Sequence, residues 1–186
     1  MILNRKLFDI NSILLINLVF SFFPISFILG SLITNINLIL FCCLGIFHLR
    51  SKILTTEFNL SIKIIFLFFL AIFFSTCLSL LRSLYLHEYE HYDLIKLIKS
   101  ILFFRFFLML VVIYLLSKFD ILNFKYFFLS VAFITLLVSL DIIYQYFFGS
   151  NLLGLKSLGQ HNSGFFGDEL IAGGFIKNFS FFSIFF

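Results

Sequence analysis

Long apolar runs alternate with short polar segments along most of this chain. Five of the runs are 18 to 23 residues long and contain few charged side chains. A bilayer hydrocarbon core of about 30 Å needs roughly 17 to 25 apolar residues in an α-helix. The pattern therefore predicts five complete membrane-spanning helices, at residues 12–30, 32–49, 64–81, 100–117 and 126–148.

A sixth apolar run begins near Leu170 and is still hydrophobic where the sequence ends at Phe186. Glycine, lysine and asparagine interrupt its first half. Its uninterrupted apolar part would be about 12 Å long as a helix, which is less than half of a bilayer core. We expect residues 1–186 to form a single membrane domain, the N-terminal part of a longer polytopic protein.

The composition indicates a chain that folds in lipid. Hydrophobic residues make up 62% and charged residues 12%, and a soluble domain of this size has too much surface to hide so much apolar area. The predicted fold class is all-α, a polytopic transmembrane helix bundle with five complete spans and a truncated sixth. The three cysteines match neither a disulfide framework nor a metal-ligand spacing, and the sequence contains no Walker or zincin motif, so no metal and no cofactor are predicted.

Lysine and arginine residues at the ends of the apolar runs predict the orientation, and they indicate membrane topology rather than nucleic-acid binding. With the N-terminus in the cytoplasm, seven of them lie on the cytoplasmic side and five on the opposite side, as the positive-inside rule favours. The segment after Phe148 then lies outside. A tight break around Gly30 and Ser31 is expected to separate the first two spans, and Pro24 is expected to kink the first helix. If residues 12–49 formed one bent span instead, every later side would invert.

Polar chemistry is concentrated at the end of the fifth predicted span and in the loop that follows it. Seven of the nine glycines lie between residues 149 and 174. Asp141 and Gln145 are one helical turn apart, so they share a face of the fifth helix. A carboxylate this deep in a span normally faces a bundle interior or a water-filled cavity. The alternative, given equal weight, is that Asp141 reaches the membrane interface.

Two polar clusters in the loop precede the start of the next helix. Glycines let backbone N–H groups approach an anion, and helix N-termini attract phosphate. Serine and acidic residues at a helix start also act as caps, which would explain them without any ligand. The candidate substrate-binding residues of these clusters are His161, Asn162, Ser163, Gly164, Gly167 and Glu169.

A further candidate, Arg105, lies five residues into the fourth predicted span, near the same membrane side as the loop. It is either a snorkelling anchor at the interface or a guanidinium that grips a diphosphate headgroup, because its paired donors match phosphate oxygens. The sequence pattern by itself favours the snorkelling anchor as the role of Arg105.

Three segments together resemble the O-antigen ligase and polymerase family. They read Ile-Lys-Ser-Ile-Leu-Phe-Phe-Arg-Phe at residues 98–106, Asp-Ile-Ile-Tyr-Gln-Tyr-Phe-Phe-Gly-Ser-Asn at 141–151, and Asn-Ser-Gly-Phe-Phe-Gly-Asp-Glu-Leu-Ile-Ala-Gly-Gly-Phe-Ile at 162–176. The early Phe-Pro-Ile-Ser at 23–26, followed by a glycine and a short second span, also fits. The resemblance covers essentially the whole chain, as the N-terminal half of a family member.

The resemblance implies a multi-pass glycosyltransferase of the bacterial inner membrane. Such enzymes transfer or polymerise undecaprenyl-diphosphate-linked glycan in polysaccharide and lipopolysaccharide biosynthesis, by an inverting reaction with no metal or nucleotide cofactor. Arg105 and the glycine-rich loop would help to hold the lipid-linked diphosphate. Family members commonly carry an arginine just before the Ser-Gly element, where this chain has His161 and Asn162. The catalytic residues are expected beyond Phe186, so the 186 residues alone are expected to be inactive.

Two other functions stay open on the sequence. A secondary transporter would use the glycine-interrupted sixth segment as a broken helix and Asp141 as a ligand for a coupling ion. A non-catalytic membrane subunit would have no site at all. Neither the choice between polymerase and ligase nor the identity of the sugar follows from the residues.

Overall fold

The structure is a computed structural model that describes residues 2–50, 52–85, 91–156, 162–167 and 171–183. The described residues form eight α-helices and one 3₁₀ turn. These ranges contain no β-strand; Ser150 and Lys156 pair there as an isolated bridge. The elements in chain order are α1 (Ile2–Ser21), α2 (Phe23–Ile28), α3 (Ser31–Leu49), α4 (Lys52–Thr55), α5 (Leu60–Tyr85), α6 (His91–Lys118), α7 (Phe124–Phe148), the 3₁₀ turn (Gly164–Phe166) and α8 (Ala172–Ser183).

Four of the helices contain a segment long and apolar enough to cross a membrane. The predicted all-helical, multi-pass membrane class is thereby confirmed. These four segments correspond to the second to fifth predicted spans, and their ends agree within a few residues. They are Ser31–Leu49 in α3, Leu60–Ser83 in α5, Ile95–Lys118 in α6 and Phe124–Phe148 in α7.

The predicted count of five spans and a truncated sixth is not confirmed. The first predicted span is divided at Phe22 between α1 and α2, and the apolar part of α1, Asn11–Ser21, is too short to cross a bilayer by itself. Pro24 lies in the first turn of α2, where a missing N–H is tolerated. In the sixth run, the described helix α8 has 12 residues, which is also less than a crossing requires.

A tight turn at Gly30 joins α2 to α3, as the glycine in the sequence predicted. Gly30 has a φ of +106°, a backbone conformation that residues with a Cβ rarely adopt. The Thr34 hydroxyl donates towards the carbonyl oxygens of Ser26, at 2.9 Å, and Gly30, at 3.0 Å. Thr34 therefore ties the first turn of α3 to the end of α2.

The described chain divides into two compact units, and α7 is the central helix of the first unit, Met1–Leu44 with Asp120–Phe186. It packs against α1, α2, α8 and the 3₁₀ turn. Ile134 and Val138 of α7 form a buried cluster with Phe175 of α8. This packing places α8 along the middle and the first half of α7, where the Phe182 ring contacts Phe127 and Phe128. The 3₁₀ turn lies beside the second half of α7, against Asp141 and Ile142.

An asparagine inside the first unit joins α1 to the start of α7. The Asn17 amide nitrogen donates to the Ile121 carbonyl at 3.0 Å, and its oxygen accepts from the Asn123 N–H at 2.7 Å. The Phe20 ring, one turn further along α1, stacks on Phe127 of α7 with 4.6 Å between the ring centroids. The two hydrogen bonds satisfy the buried Asn17 side chain, because both polar atoms of its amide have a partner.

The second unit, Gly45–Phe119, is built around the helix pair α5 and α6. The Phe69 ring of α5 stacks on Phe103 of α6 at a centroid distance of 5.0 Å. Further along α5, the Thr76 hydroxyl hydrogen-bonds to the Ser100 hydroxyl at 3.0 Å. The partner numbers fall on α6 as they rise on α5, so the two helices run antiparallel.

Candidate functional site

The second half of α7 carries two fully buried polar side chains, Asp141 and Gln145. Both have 0% of their surface exposed, so they face the interior of the first unit. Asp141 lies seven residues, about 10 Å, before the last residue of α7. Since α7 is one of the four candidate spans, this is a carboxylate well inside a membrane helix.

The loop after α7 folds back onto these two side chains. The Leu152 N–H donates to Asp141 Oδ1 at 2.9 Å, and the Gly164 N–H donates to Gln145 Oε1 at 2.8 Å. The Gln145 amide nitrogen also points at the Leu155 carbonyl, at a longer 3.4 Å. Asp141 and Gln145 thus use their oxygens to accept backbone donors of the loop.

A third polar residue, Asn151, holds the loop together from within, and it was not among the sequence candidates. Its side chain is 3% exposed. The amide nitrogen donates to the Gly164 carbonyl at 2.6 Å, and the oxygen accepts from the N–H groups of Leu153, at 3.0 Å, and Leu155, at 2.8 Å. The sequence feature that could have identified Asn151 is the Asn-x-x-Gly pattern at residues 151–154. In turns, an asparagine side chain often hydrogen-bonds to the backbone two residues further along the chain.

Two glycines make this return of the chain possible. Gly149 ends α7 in the left-handed conformation, with φ of +74°, and its N–H donates to the Gln145 carbonyl at 2.8 Å. Gly164 has φ of +57°. A Cβ on Gly164 would lie 3.1 Å from Ile142 Cγ1 and 3.2 Å from Asp141 Oδ2, so the loop backbone presses directly against α7 here.

Two buried oxygens, one on α7 and one in the loop that packs on it, have no hydrogen-bond partner among the described residues. They are Asp141 Oδ2 and the Ser163 hydroxyl oxygen, and Ser163 is 0% exposed. Unpaired polar atoms are rare in folded interiors, because losing water without gaining a partner costs roughly 1–3 kcal/mol. The hydrogen-bonding groups that remain unused on Asp141 and Ser163 are therefore oxygen acceptors and one hydroxyl donor.

Arg105 belongs to the second unit, on α6, and its side chain is half-buried. Its guanidinium carbon lies 4.9 Å from the centroid of the Phe106 ring. The Nε–H group is buried and has no acceptor within the part of the chain that the structure describes. The guanidinium therefore keeps an unused donor inside a candidate membrane span.

The structure thus brings together Asp141, Gln145, Ser163 and Gly164 of the sequence candidates. Asn162 and Gly167 flank the 3₁₀ turn and are half-buried. His161 and Glu169 lie outside the described residues. Within the described ranges, no three His, Cys, Asp or Glu side chains are grouped as a metal site would require.

No family model matches this chain, and neither a curated protein nor a solved structure matches it.

Proposed function

We propose that this chain is part of a membrane glycosyltransferase of the O-antigen ligase and polymerase type, and that it binds a lipid-linked diphosphate. The observation that carries the proposal is the unused Nε–H donor of Arg105 in a candidate membrane span. The resemblance of the segments around Arg105, Asp141 and Ser163 supplies the class of substrate.

A diphosphate headgroup is the kind of ligand that the Arg105 guanidinium suits. An arginine inside a membrane normally pairs with another group or lines a polar cavity, since an isolated charge there costs several kcal/mol. Phosphate oxygens accept two parallel N–H donors from one guanidinium, and such charge-assisted bonds are about twice as strong as neutral ones. The Phe106 ring beneath the guanidinium contributes a weaker cation–π attraction.

The loop after α7 has a different role in this proposal: its backbone is held at a fixed position. Asp141 and Gln145 accept loop N–H groups, so they act as positioning residues. A carboxylate would repel a diphosphate, and Asp141 is buried away from any such contact. Among the described sequence candidates of the loop, Asn162 and Gly167 keep accessible surface. With the sequence candidates His161 and Glu169, they are the residues through which the loop would reach the glycan donor.

The proposed reaction follows from the resemblance. An acceptor sugar hydroxyl attacks the anomeric carbon of the lipid-linked glycan and loses its proton as the new C–O bond forms. The bond to the diphosphate oxygen breaks on the opposite face, so the configuration inverts and undecaprenyl diphosphate leaves. Within this scheme Arg105 would bind the diphosphate before and after transfer, at the outer face of a bacterial inner membrane.

Binding by the 186-residue chain tests the proposal without requiring transfer activity. The chain is reconstituted in lipid nanodiscs, and binding of undecaprenyl diphosphate is measured against undecaprenol by native mass spectrometry. We expect the diphosphate to bind more tightly. Arg105→Gln should weaken that binding about 10- to 100-fold, as expected for the loss of a hydrogen bond to a charged group. Arg105→Lys should retain part of it, because the charge stays and the paired donors are lost.

Arg82→Gln is the matched control, since Arg82 is an exposed arginine in the last turn of α5. It should bind the diphosphate as the unchanged chain does. Equal binding of undecaprenol and undecaprenyl diphosphate would contradict the proposal. So would an Arg105→Gln chain with the helical content of the unchanged protein and unaltered affinity for the diphosphate.

A further inference from the structure

Only one of the two oxygens of the Asp141 carboxylate accepts a hydrogen bond from the described residues. Oδ1 accepts the Leu152 N–H at 2.9 Å, whereas Oδ2 is buried and receives no donor within the described ranges. Those ranges also place no Lys, Arg or His within ion-pair distance of this carboxylate. A buried carboxylate without a partner of opposite charge is among the most costly groups in a protein interior.

A second unpartnered oxygen belongs to the loop that packs on α7. Ser163 is fully buried and its hydroxyl has no partner among the described residues. Its neighbour in the chain, Gly164, lies so close to Asp141 that a Cβ there would be 3.2 Å from Oδ2. The positive φ of Gly164 lets the backbone make this approach. The loop segment that carries Ser163 is therefore packed against Asp141 of α7.

From these two unpartnered oxygens on adjoining segments we infer that Asp141 Oδ2 and the Ser163 hydroxyl are ligands of a buried monovalent cation, and that this cation is Na⁺. Both ligands are hard oxygens, the type that alkali and alkaline-earth ions prefer over nitrogen and sulfur. One carboxylate offers one negative charge, which a monovalent ion neutralises. A divalent ion would leave a net positive charge buried in the site.

The cation would join the loop to α7. It is coordinated by a helix side chain on one side and by a loop side chain on the other, next to the hydrogen bond from Gly164 N–H to Gln145 Oε1. An ion that binds only the folded loop stabilises that fold in proportion to its concentration. This inference goes beyond the diphosphate proposal, because that proposal rests on Arg105 and this one on Asp141 and Ser163.

The test measures the stability of the purified chain in NaCl and in choline chloride at the same ionic strength. Unfolding is followed by circular dichroism, and amide hydrogen exchange is measured at Leu152 and Gly164. We expect the midpoint of thermal unfolding to rise and saturate with Na⁺, by roughly 5 °C at a large excess over the dissociation constant. Exchange at both amides should slow in NaCl.

Asp141→Asn keeps an oxygen for the Leu152 N–H and removes the charge, so it should abolish the difference between NaCl and choline chloride. Ser163→Ala should raise the Na⁺ concentration needed for half of the effect. Asp120→Asn is the matched control, because it removes an exposed carboxylate from the same unit, and it should keep the full Na⁺ response.

Two results would overturn the inference. One is identical stability and exchange of the unchanged chain in NaCl and choline chloride. The other is a Na⁺ response that survives in a folded Asp141→Asn chain. Diphosphate binding is measured on different variants with a different ligand, so failure of the cation site and failure of the proposed function are separate outcomes.

Discussion

Asn151 shows how much of the loop depends on one amide side chain. Its nitrogen serves the Gly164 carbonyl and its oxygen serves the N–H groups of Leu153 and Leu155. Because Gly164 also donates to Gln145, the bonds of Asn151 and those of α7 converge on the same residue. At the residue scale, the loop is fixed by side chains that bond to backbone groups, which is the commonest type of side-chain hydrogen bond.

We expect Asn151→Ala to loosen the loop while leaving the helices in place. The change removes the partner of two part-buried N–H groups and of one buried carbonyl, and an unsatisfied buried group costs roughly 1–3 kcal/mol. Amide hydrogen exchange at Leu153 and Leu155 should quicken by at least about 10-fold, with the far-ultraviolet circular dichroism unchanged. Asn178→Ala, at an exposed position of α8, is the control and should leave those rates unaltered. Unchanged exchange in Asn151→Ala would show that the loop is held by other contacts.

At the scale of elements, close packing needs small residues where two helices meet. Gly45, near the end of α3, lies against α6 within the second unit, and a Cβ there would overlap Val112 Cγ1 and lie 3.3 Å from Leu116 Cδ1. Small residues at helix contacts are typical of membrane proteins, where packing replaces the hydrophobic effect between helices. The sequence shows the glycine, but the side chain it faces lies 67 positions away.

Gly45→Val should therefore destabilise the second unit, by about 1–3 kcal/mol, because the added methyl groups force Val112 or the helix to move. Thermal unfolding in a constant detergent gives the change. Val112→Ala removes the overlapping atom, so the double variant should be more stable than the sum of the two single changes implies. Gly173→Ala, at an open and exposed position of α8, is the control for the effect of a larger residue. Strict additivity of Gly45→Val and Val112→Ala would contradict the contact.

At the scale of the whole molecule, the helix pair of the second unit constrains the membrane topology. The Lys118 amine donates to the Glu57 carbonyl at 3.1 Å, and the Lys52 amine lies 5.0 Å from the centroid of the Phe119 ring. The start of α5 and the end of α6 are therefore neighbours. In a bilayer they lie on one side, whichever way the opening segment crosses.

Reporter fusions check this in cells. Fusions after Lys52 and after Lys118 should give the same signal, because the residues are neighbours in the second unit, and a fusion after Glu90 should give the opposite one. The excess of Lys and Arg predicts that the shared signal is cytoplasmic, with a fusion after Gly159 external. Different signals at Lys52 and Lys118 would contradict the antiparallel pair. A shared external signal would reverse the predicted orientation and place the loop after α7 inside.

The sequence by itself determined the features that depend on local order. Runs of apolar residues predicted α3, α5, α6 and α7, since length and hydrophobicity suffice to recognise a membrane helix. Gly30 predicted the turn before α3 because its backbone freedom is a property of the residue itself. The shared face of Asp141 and Gln145 followed from the helical repeat. The kink expected at Pro24 corresponds to the division of the first predicted span at Phe22, two residues before that proline.

Only the tertiary structure decided which groups meet. Asn17 bonds across 104 positions to Ile121, and Gln145 bonds across 19 positions to Gly164. No periodicity or composition indicates such partners, because a hydrogen bond depends on distances of about 3 Å that the folded chain alone sets. For the same reason, the sequence placed Asp141, Ser163 and Arg105 in one candidate site. The structure showed that Asp141 of α7 and Ser163 of the loop are both buried in the first unit and that Arg105 belongs to the other unit.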